Sequence, residues 1–309
     1  MEHLFIINPA AGSRNRTEAY SEVIHKLCKE KGLRYEIRVS TAPGECHRIA
    51  REAAETGREM RIYACGGDGT LNEVMSGAAD FDNAAVTVFS GGSGNDFVKI
   101  FDDPKAFFDL ERLLDAEEVT FDLIDCNGDL CLNICSVGLD ARIGVDVSNY
   151  KRLPFLHGFS AYAASTVVNV IRGVHEHYVV EIEGETVDAD HTLICVCNGR
   201  YYGGGFHAMP DADPTDGLLD VLLVKKVSRL QVAGVVGKYK DGKYKELGHI
   251  ARYFRTKQVK IRCDKPTALQ LDGEARMANV MDCKVSDKKL RFFYPKGLTY
   301  AVKETAAAK

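Results

Sequence analysis

Cys65-Gly66-Gly67-Asp68-Gly69-Thr70-Leu71-Asn72-Glu73-Val74 sets three glycines and an aspartate between an apolar strand, Arg61 to Cys65, and the start of a helix. Glycine admits positive φ and lets backbone N–H groups approach an anion without a Cβ in the way, and a helix N-terminus adds a favourable dipole. The junction reads as a phosphate site. Thr70 and Glu73 have the spacing of a capping box at the helix start. Asp68 would repel a phosphate unless a cation stood between them, which points to Mg²⁺ and a nucleotide polyphosphate. A ligand-free strand-to-helix turn is the plainer alternative, but it needs neither three glycines nor the acid.

A second junction of the same kind follows one strand and helix later, where Val86 to Phe89 runs into Ser90-Gly91-Gly92-Ser93-Gly94-Asn95-Asp96-Phe97. In an open parallel sheet, loops at the carboxyl ends of adjacent strands share a crevice, so Asp68 and Asp96 are expected to reach one metal and phosphate cluster. Neither loop completes G-x-G-x-x-G, and the chain has no G-x-x-x-x-G-K-[ST]. Those absences argue against a Rossmann dinucleotide site and a P-loop enzyme.

Working outward, residues 1 to about 120 alternate strands (Leu4 to Ile7, Tyr35 to Val39, Arg61 to Cys65, Val86 to Phe89) with helical patterns (Thr17 to Lys31, Gly44 to Thr56, Leu71 to Ala78, and one from Pro104 capped by Asp103). That is the signature of a doubly wound α/β domain. From 121 to 295 the strands come as hairpins. Asn127-Gly128 and Glu183-Gly184 mark turns, and further runs are expected at 191–197, 218–224, 256–262, 267–271, 280–285 and 289–293. Only Ala161 to Ile171 and Ser228 to Val236 read as helical there. The second part is therefore expected to be an antiparallel β domain, followed by a tail at 296–309. Residues 303–309 resemble the opening of a peptide used as an expression tag and are set aside.

Together, Asn8-Pro9-Ala10-Ala11-Gly12, Gly66 to Val74 and Gly92-Ser93-Gly94-Asn95-Asp96-Phe97 resemble the diacylglycerol kinase catalytic-domain family, especially its soluble bacterial lipid kinases. Thr41 before a helix, Asp122 in Phe121-Asp122-Leu123, Asp216-Gly217-Leu218-Leu219-Asp220-Val221 and Leu271-Asp272-Gly273-Glu274 extend the likeness along nearly the whole chain. It implies an N-terminal doubly wound α/β domain and a C-terminal β-sandwich with the active site between them, and a tail that packs back on the first domain.

The same resemblance implies ATP bound by Asn8, Pro9, Ala10, Ala11, Gly12, Thr41, the segment Gly66, Gly67, Asp68, Gly69, Thr70, Leu71, Asn72 and Glu73, and Ser93. Asp68 and Asp96, with Asp122 as a third candidate, are the acids expected around Mg²⁺, and Arg14 or Arg16 could steady the γ-phosphate. Asp272 and Glu274 are the expected proton acceptor and its partner, with the order left open. Without the resemblance, the same three residues read as an Asp-Gly hairpin turn. A second, structural Mg²⁺ is implied at Asp213, Asp216 and the Leu218 carbonyl.

The acceptor implied is a lipid hydroxyl. Tyr201-Tyr202-Gly203-Gly204-Gly205-Phe206 is expected to form an aromatic lip, and Lys238-Tyr239-Lys240-Asp241-Gly242-Lys243-Tyr244-Lys245 to suit either an anionic membrane or plain solvent. An NAD kinase is the rival enzyme, but Phe159-Ser160-Ala161-Tyr162 lacks the glycine and threonine of that family's second motif. A catalytically silent nucleotide-binding regulator is the rival from another class.

The bulk numbers are those of a globular protein: 309 residues, 45% hydrophobic, 27% charged. A net charge of −4 gives no basic footprint for nucleic acid. With no signal-peptide pattern and no apolar run approaching a membrane span, the expected location is cytoplasmic and peripheral to the membrane, as monomer or homodimer. Ten cysteines without a C-x-x-C pair read as reduced core residues, in preference to a zinc site at Cys131, Cys135 or Cys195 and Cys197. His175 and His177 read as solvated.

Overall fold

The computed structural model describes residues 1–12, 14–92, 94–150, 165 and 168–300. The chain divides into two units, Met1–Leu123 with Ser286–Lys309, and Ile124–Val285.

In the first unit, β1 (Glu2–Ile7), β2 (Tyr35–Val39), β3 (Met60–Gly66) and β4 (Ala84–Ser90) form a parallel sheet in the order β2-β1-β3-β4. The sequence explains the order. Leu4 to Ile7, Ile62 to Cys65 and Ala84 to Phe89 are buried apolar runs, as central strands covered on both faces require, whereas Tyr-Glu-Ile-Arg-Val of β2 is half-exposed and takes the edge. Helices α1 (Thr17–Glu30), α2 (Glu45–Ala54) and α3 (Asp68–Ala78) bury stripes at helical spacing, for example Tyr20, Ile24 and Cys28. The strand order reverses between β1 and β3, and ligands of such sheets sit at that switch point beyond the strands' carboxyl ends. Ile7 pairs with Cys65 and Gly66 with Ser90, so the loops after β1, β3 and β4 leave the sheet on one edge.

The helix expected from Pro104 is a 3-10 turn, Pro104–Phe108, whose Lys105 N–H donates to the Asp103 side chain; the short helix α4 (Leu110–Leu114) follows it. Strand β5 (Ala116–Cys126) then starts in this unit. The end of the chain returns to the same unit: Phe292 pairs in parallel with Val86, and Phe101 bridges Tyr300. Thr299 donates through N and Oγ1 to the Asp102 carboxylate, and Phe97, Phe101, Phe107, Phe121 and Phe292 pack ring against ring. Residues 301–309 lie outside the described chain.

The second unit is antiparallel. β6 (Asp129–Cys131) pairs with β5 across the Asn127-Gly128 turn. With them stand β7 (Ile134–Gly138), β8 (Glu176–Ile182), β9 (Glu185–Cys197), β10 (Leu219–Lys225), β11 (Ala251–Thr256), β12 (Gln258–Leu271) and β13 (Glu274–Pro295), the last continuing into the first unit. Within the unit the order is β11-β10-β9-β7-β12-β13, with β8 pairing β9 and β12. Alternate residues go to opposite faces. Ile194, Val196, Leu219, Val221 and Leu223 enter one core, and Leu193, Cys195, Leu222 and Val224 enter another beside α5 (Leu139–Tyr150) and α6 (Arg229–Lys240).

Several elements depart from expectation. The runs at 280–285 and 289–293 are one strand, as are those at 256–262 and 267–271, and β7, α5 and β11 were not foreseen. The expected helix at 161–171 falls largely outside the described residues, as does Phe159 to Tyr162. No helix among the described residues is long and apolar enough to cross a membrane.

Candidate nucleotide and acceptor sites

The loops after β1, β3 and β4 are tied to one another. Asn8 N donates to the Cys65 carbonyl, Asn8 Nδ2 to Thr70 Oγ1 at 3.1 Å, and the N–H groups of Gly91 and Gly92 both to the Gly66 carbonyl. The backbones at Gly67 and Gly92 meet so closely that a Cβ on Gly92 would lie 2.5 Å from the Gly67 Cα. Only glycine allows that approach. Pro9, Ala10 and Ala11 carry the first loop, with Ala10 N donating to Asn8 Oδ1. Ser93 lies outside the described residues.

Asp68 is the first residue of α3, and its Oδ1 accepts from the N–H of Asp96 (2.6 Å) and of Phe97 (3.3 Å). A Cβ on Gly94 would sit 2.8 Å from Asp68 Oδ2 and 3.5 Å from Asp96 Oδ2, so the two carboxylates face one point. Burial first, and then the Asp96 charge, push the Asp68 carboxyl above its usual range, against the pull of the two amides and Lys99. Lys99 Nζ lies 2.5 Å from Asp96 Oδ1. Asn72 Oδ1, Ser90 Oγ and Asn95 Oδ1 are buried near these loops with no hydrogen-bond partner among the described residues. Buried polar atoms are normally paired, so orphans beside two carboxylates and stacked glycine loops fit a bound polyphosphate and its cation.

Two expectations change here. Thr70 and Glu73 do not form a capping box: the N-cap is Gly67, Thr70 Oγ1 accepts from Asn8, and the Glu73 carboxylate accepts from Cys46 N at 3.1 Å. The helix starts three residues earlier than the box required. Asp122 is not the solvated strand end of the plainer reading; it is 4% exposed and ion-paired with Lys289. No third carboxylate among the described residues converges with Asp68 and Asp96. Thr41 donates through N and Oγ1 to the Glu45 carboxylate at the head of α2, while Arg14 is exposed and Arg16 half-buried. Leu71 is buried in α3 and Gly69 faces open space.

In the second unit, Asp272 and Gly273 are the two central residues of a tight hairpin between β12 and β13, with φ of 47° and 92°. That is the hairpin turn of the plainer reading, with the positive φ pair that Asp-Gly supplies. It carries more than a turn. The Asp272 carboxylate accepts from the N–H of Leu132 (2.5 Å), Asn133 (3.0 Å) and Ile134 (2.8 Å), while its own N–H donates to the Ile134 carbonyl. Glu274 is exposed, and its nearest cation is Arg276 at 3.4 Å. The two acids thus separate: Asp272 spends its oxygens on the backbone, and Glu274 keeps its own available.

Asp213 Oδ1 accepts from Thr215 N and Oγ1, and Asp216 Oδ1 from Leu218 N, with Arg255 on the other Asp216 oxygen. The aromatic lip folds inward: Tyr202 exchanges backbone hydrogen bonds with Phe206, its hydroxyl donates to Asp140, and Tyr201 stacks on His207 at 4.1 Å. In 238–245 the tyrosines also face the core, Tyr239 and Tyr244 each being 3% exposed, while Lys238 and Lys245 pair with Glu246 and Asp211. His175 and His177 are not merely solvated, since both face Asp190 and His177 also Asp188. Sequence reasoning missed Asp140. Its Oδ1 is buried without a partner, and burial pushes the carboxyl up to about 6. An acid in the first turn of a helix directly after Gly138 was the available signal.

The chain combines a parallel α/β unit, with paired glycine loops at its switch point, and an antiparallel β unit. Residues 2–126 match the diacylglycerol kinase catalytic domain, and 133–294 match the YegS C-terminal NAD kinase beta sandwich-like domain. The chain belongs to the diacylglycerol kinase catalytic-domain family with a YegS-type C-terminal domain. A Staphylococcus aureus (strain MRSA252) protein named "Putative lipid kinase SAR0780" is 24% identical over 89% of this chain and 91% of its own. A crystal structure described as a diacylglycerol kinase from Bacillus anthracis str. Sterne superposes with a TM-score of 0.70 at 18% identity, covering 96% of this chain and 98% of that one; this likeness speaks to the fold.

Proposed function

We propose that the protein is an ATP- and Mg²⁺-dependent lipid kinase that phosphorylates a hydroxyl of diacylglycerol or a related lipid, acting as a cytoplasmic protein at the membrane surface. Membership of a kinase family implies ATP use, and a relative that matches along most of the chain is named as a lipid kinase. The observation that carries the reading is the Asp68 carboxylate, pinned by the Asp96 and Phe97 amides beside a second carboxylate and three orphaned polar atoms.

Phosphoryl transfer asks the protein chiefly to position groups and to neutralise charge. Bound Mg²⁺ would supply that neutralisation, held by Asp68 and Asp96. Asn8 to Gly12, Thr41, Gly66 to Glu73 and Ser93 would hold the nucleotide through backbone N–H groups and short side chains. Glu274 would take the proton of the acceptor hydroxyl, and Asp272 would fix the hairpin that presents it. A second Mg²⁺ at Asp213, Asp216 and the Leu218 carbonyl would stabilise its turn. It would do so in competition with the Arg255 guanidinium.

The test is turnover of γ-labelled ATP against dispersed diacylglycerol, phosphatidylglycerol, a sphingoid base and a polyprenol, with NAD as a soluble acceptor. Label entering one lipid, dependent on Mg²⁺, supports the proposal. Label entering NAD and no lipid overturns it.

A further inference from the structure

Four cysteines scattered through the second unit's sequence converge in its core. Cys126 closes β5, Cys131 closes β6 beyond the Asn127-Gly128 turn, Cys135 lies in β7 and Cys283 in β13. Each is at most 1% exposed. The Sγ atoms of Cys126, Cys135 and Cys283 all lie within 4.8 Å of one another, the only such trio of potential ligands among the described residues. The Cys131 thiol adjoins that of Cys135.

We propose that Cys126, Cys135, Cys283 and Cys131 form a structural thiolate site for a soft, tetrahedral divalent metal ion, with zinc as the ion of that chemistry. Zn–S bonds of about 2.3 Å in a tetrahedron put sulfur atoms about 3.8 Å apart, so the trio closes on an ion by inward shifts of roughly half an ångström, within rotamer adjustment. On ligation each thiol gives its proton to solvent and its sulfur lone pair to the metal, with no redox change. The topology gives the site a task. The ion would join the β5-β6 hairpin to β7, and both to the strand that leaves the Asp272-Gly273 turn.

Sequence spacing conceals the site, because Cys283 arrives from the far end of the chain and no C-x-x-C pair exists. The Cys195 and Cys197 pair takes no part in it; both side chains belong to the other core.

The experiment measures metal in full-length protein without a histidine tag, expressed with ample zinc and dialysed against a weak chelator. About one zinc per chain is expected, released when a mercurial titrates the thiols. Reconstitution of the demetallated protein with Co²⁺ should give the near-ultraviolet thiolate charge-transfer band and the strong visible absorption of a tetrahedral site. Cys283→Ser and Cys126→Ser should each lose most of the bound metal, while Cys263→Ser, outside the cluster, should retain it. Wild-type protein that is fully active yet metal-free, or that gives no thiolate–cobalt band, overturns the proposal whether or not the variants fold. So does a disulfide between any two of the four.

Discussion

Replacing Asp272 should unfold the protein before it slows the chemistry. Its carboxylate accepts from the N–H groups of Leu132, Asn133 and Ile134, residues that are 2%, 8% and 2% exposed. Leaving a buried donor unpaired costs about 1–3 kcal/mol, and a side chain other than Gly, Asn or Asp at positive φ adds roughly 1 kcal/mol more. With three donors orphaned, Asp272→Ala should therefore cost at least about 4 kcal/mol. Asp272→Asn keeps an oxygen for Asn133 and Ile134 and tolerates the φ of 47°, but turns its NH₂ towards the Leu132 N–H. It should cost about 1–3 kcal/mol, one donor's worth. Urea unfolding followed by tyrosine fluorescence or circular dichroism measures both, and single-turnover rates on the folded Asn variant should fall by less than about tenfold. Two variants within about 0.5 kcal/mol of wild type, with the rate lost a thousandfold, would refute the anchoring role and make Asp272 the proton acceptor.

Glu274→Gln should do the reverse, lowering kcat by about 10²–10⁴ with the unfolding midpoint and ATP affinity unchanged. Asp140 has a folded pKa near 6, above its unfolded value of about 4, so its contribution to stability is present below pH 4 and lost as pH rises through 6. Asp140→Asn should remove that loss, and the wild-type minus mutant stability difference should move against wild type by up to about 3 kcal/mol between pH 4 and 7; parallel pH profiles would discard the assignment. Gly92→Ala places a Cβ 2.5 Å from the Gly67 Cα and should weaken MgATP binding at least about tenfold as the loops part, whereas Gly69→Ala, which meets nothing within 4 Å, should change stability by under about 1 kcal/mol. Equal ATP affinities in the two calorimetric titrations would show that the close approach is irrelevant.

The first unit was legible because its strands are buried apolar runs and its glycine loops follow them at regular spacing. Asp68 and Asp96 could be placed together from the loop pattern alone, since the parallel register carries both junctions to one edge. The capping box misled because Thr70 and Glu73 have the right spacing but bond across to Asn8 and Cys46, partners 62 and 27 residues away. The solvated strand-end reading of Asp122 failed in the same way, its charge being answered by Lys289 from the returning end of the chain. The tyrosines of 238–245 alternate with lysines as a surface stripe would, yet their segment ends a helix and opens a 3-10 turn, which rotates Tyr239 and Tyr244 into the core. The division of labour between Asp272 and Glu274 could not be read from spacing, because it depends on three donors nearly 140 residues earlier.

The account rests on Asp68 organising phosphoryl transfer, and Asp68→Asn isolates that role, since the amide oxygen can still accept from Asp96 and Phe97 while the charge is gone. Losing one preorganised electrostatic group typically costs about 10²–10³ in kcat. The decisive measurement is the single-turnover rate of lipid phosphorylation by this variant at saturating MgATP, beside its thermal midpoint with and without MgATP. The account predicts a rate about 10²–10³ below wild type, a fold at least as stable without ligand, and a smaller stabilisation by MgATP than wild type shows; a wild-type rate with full MgATP stabilisation would contradict it.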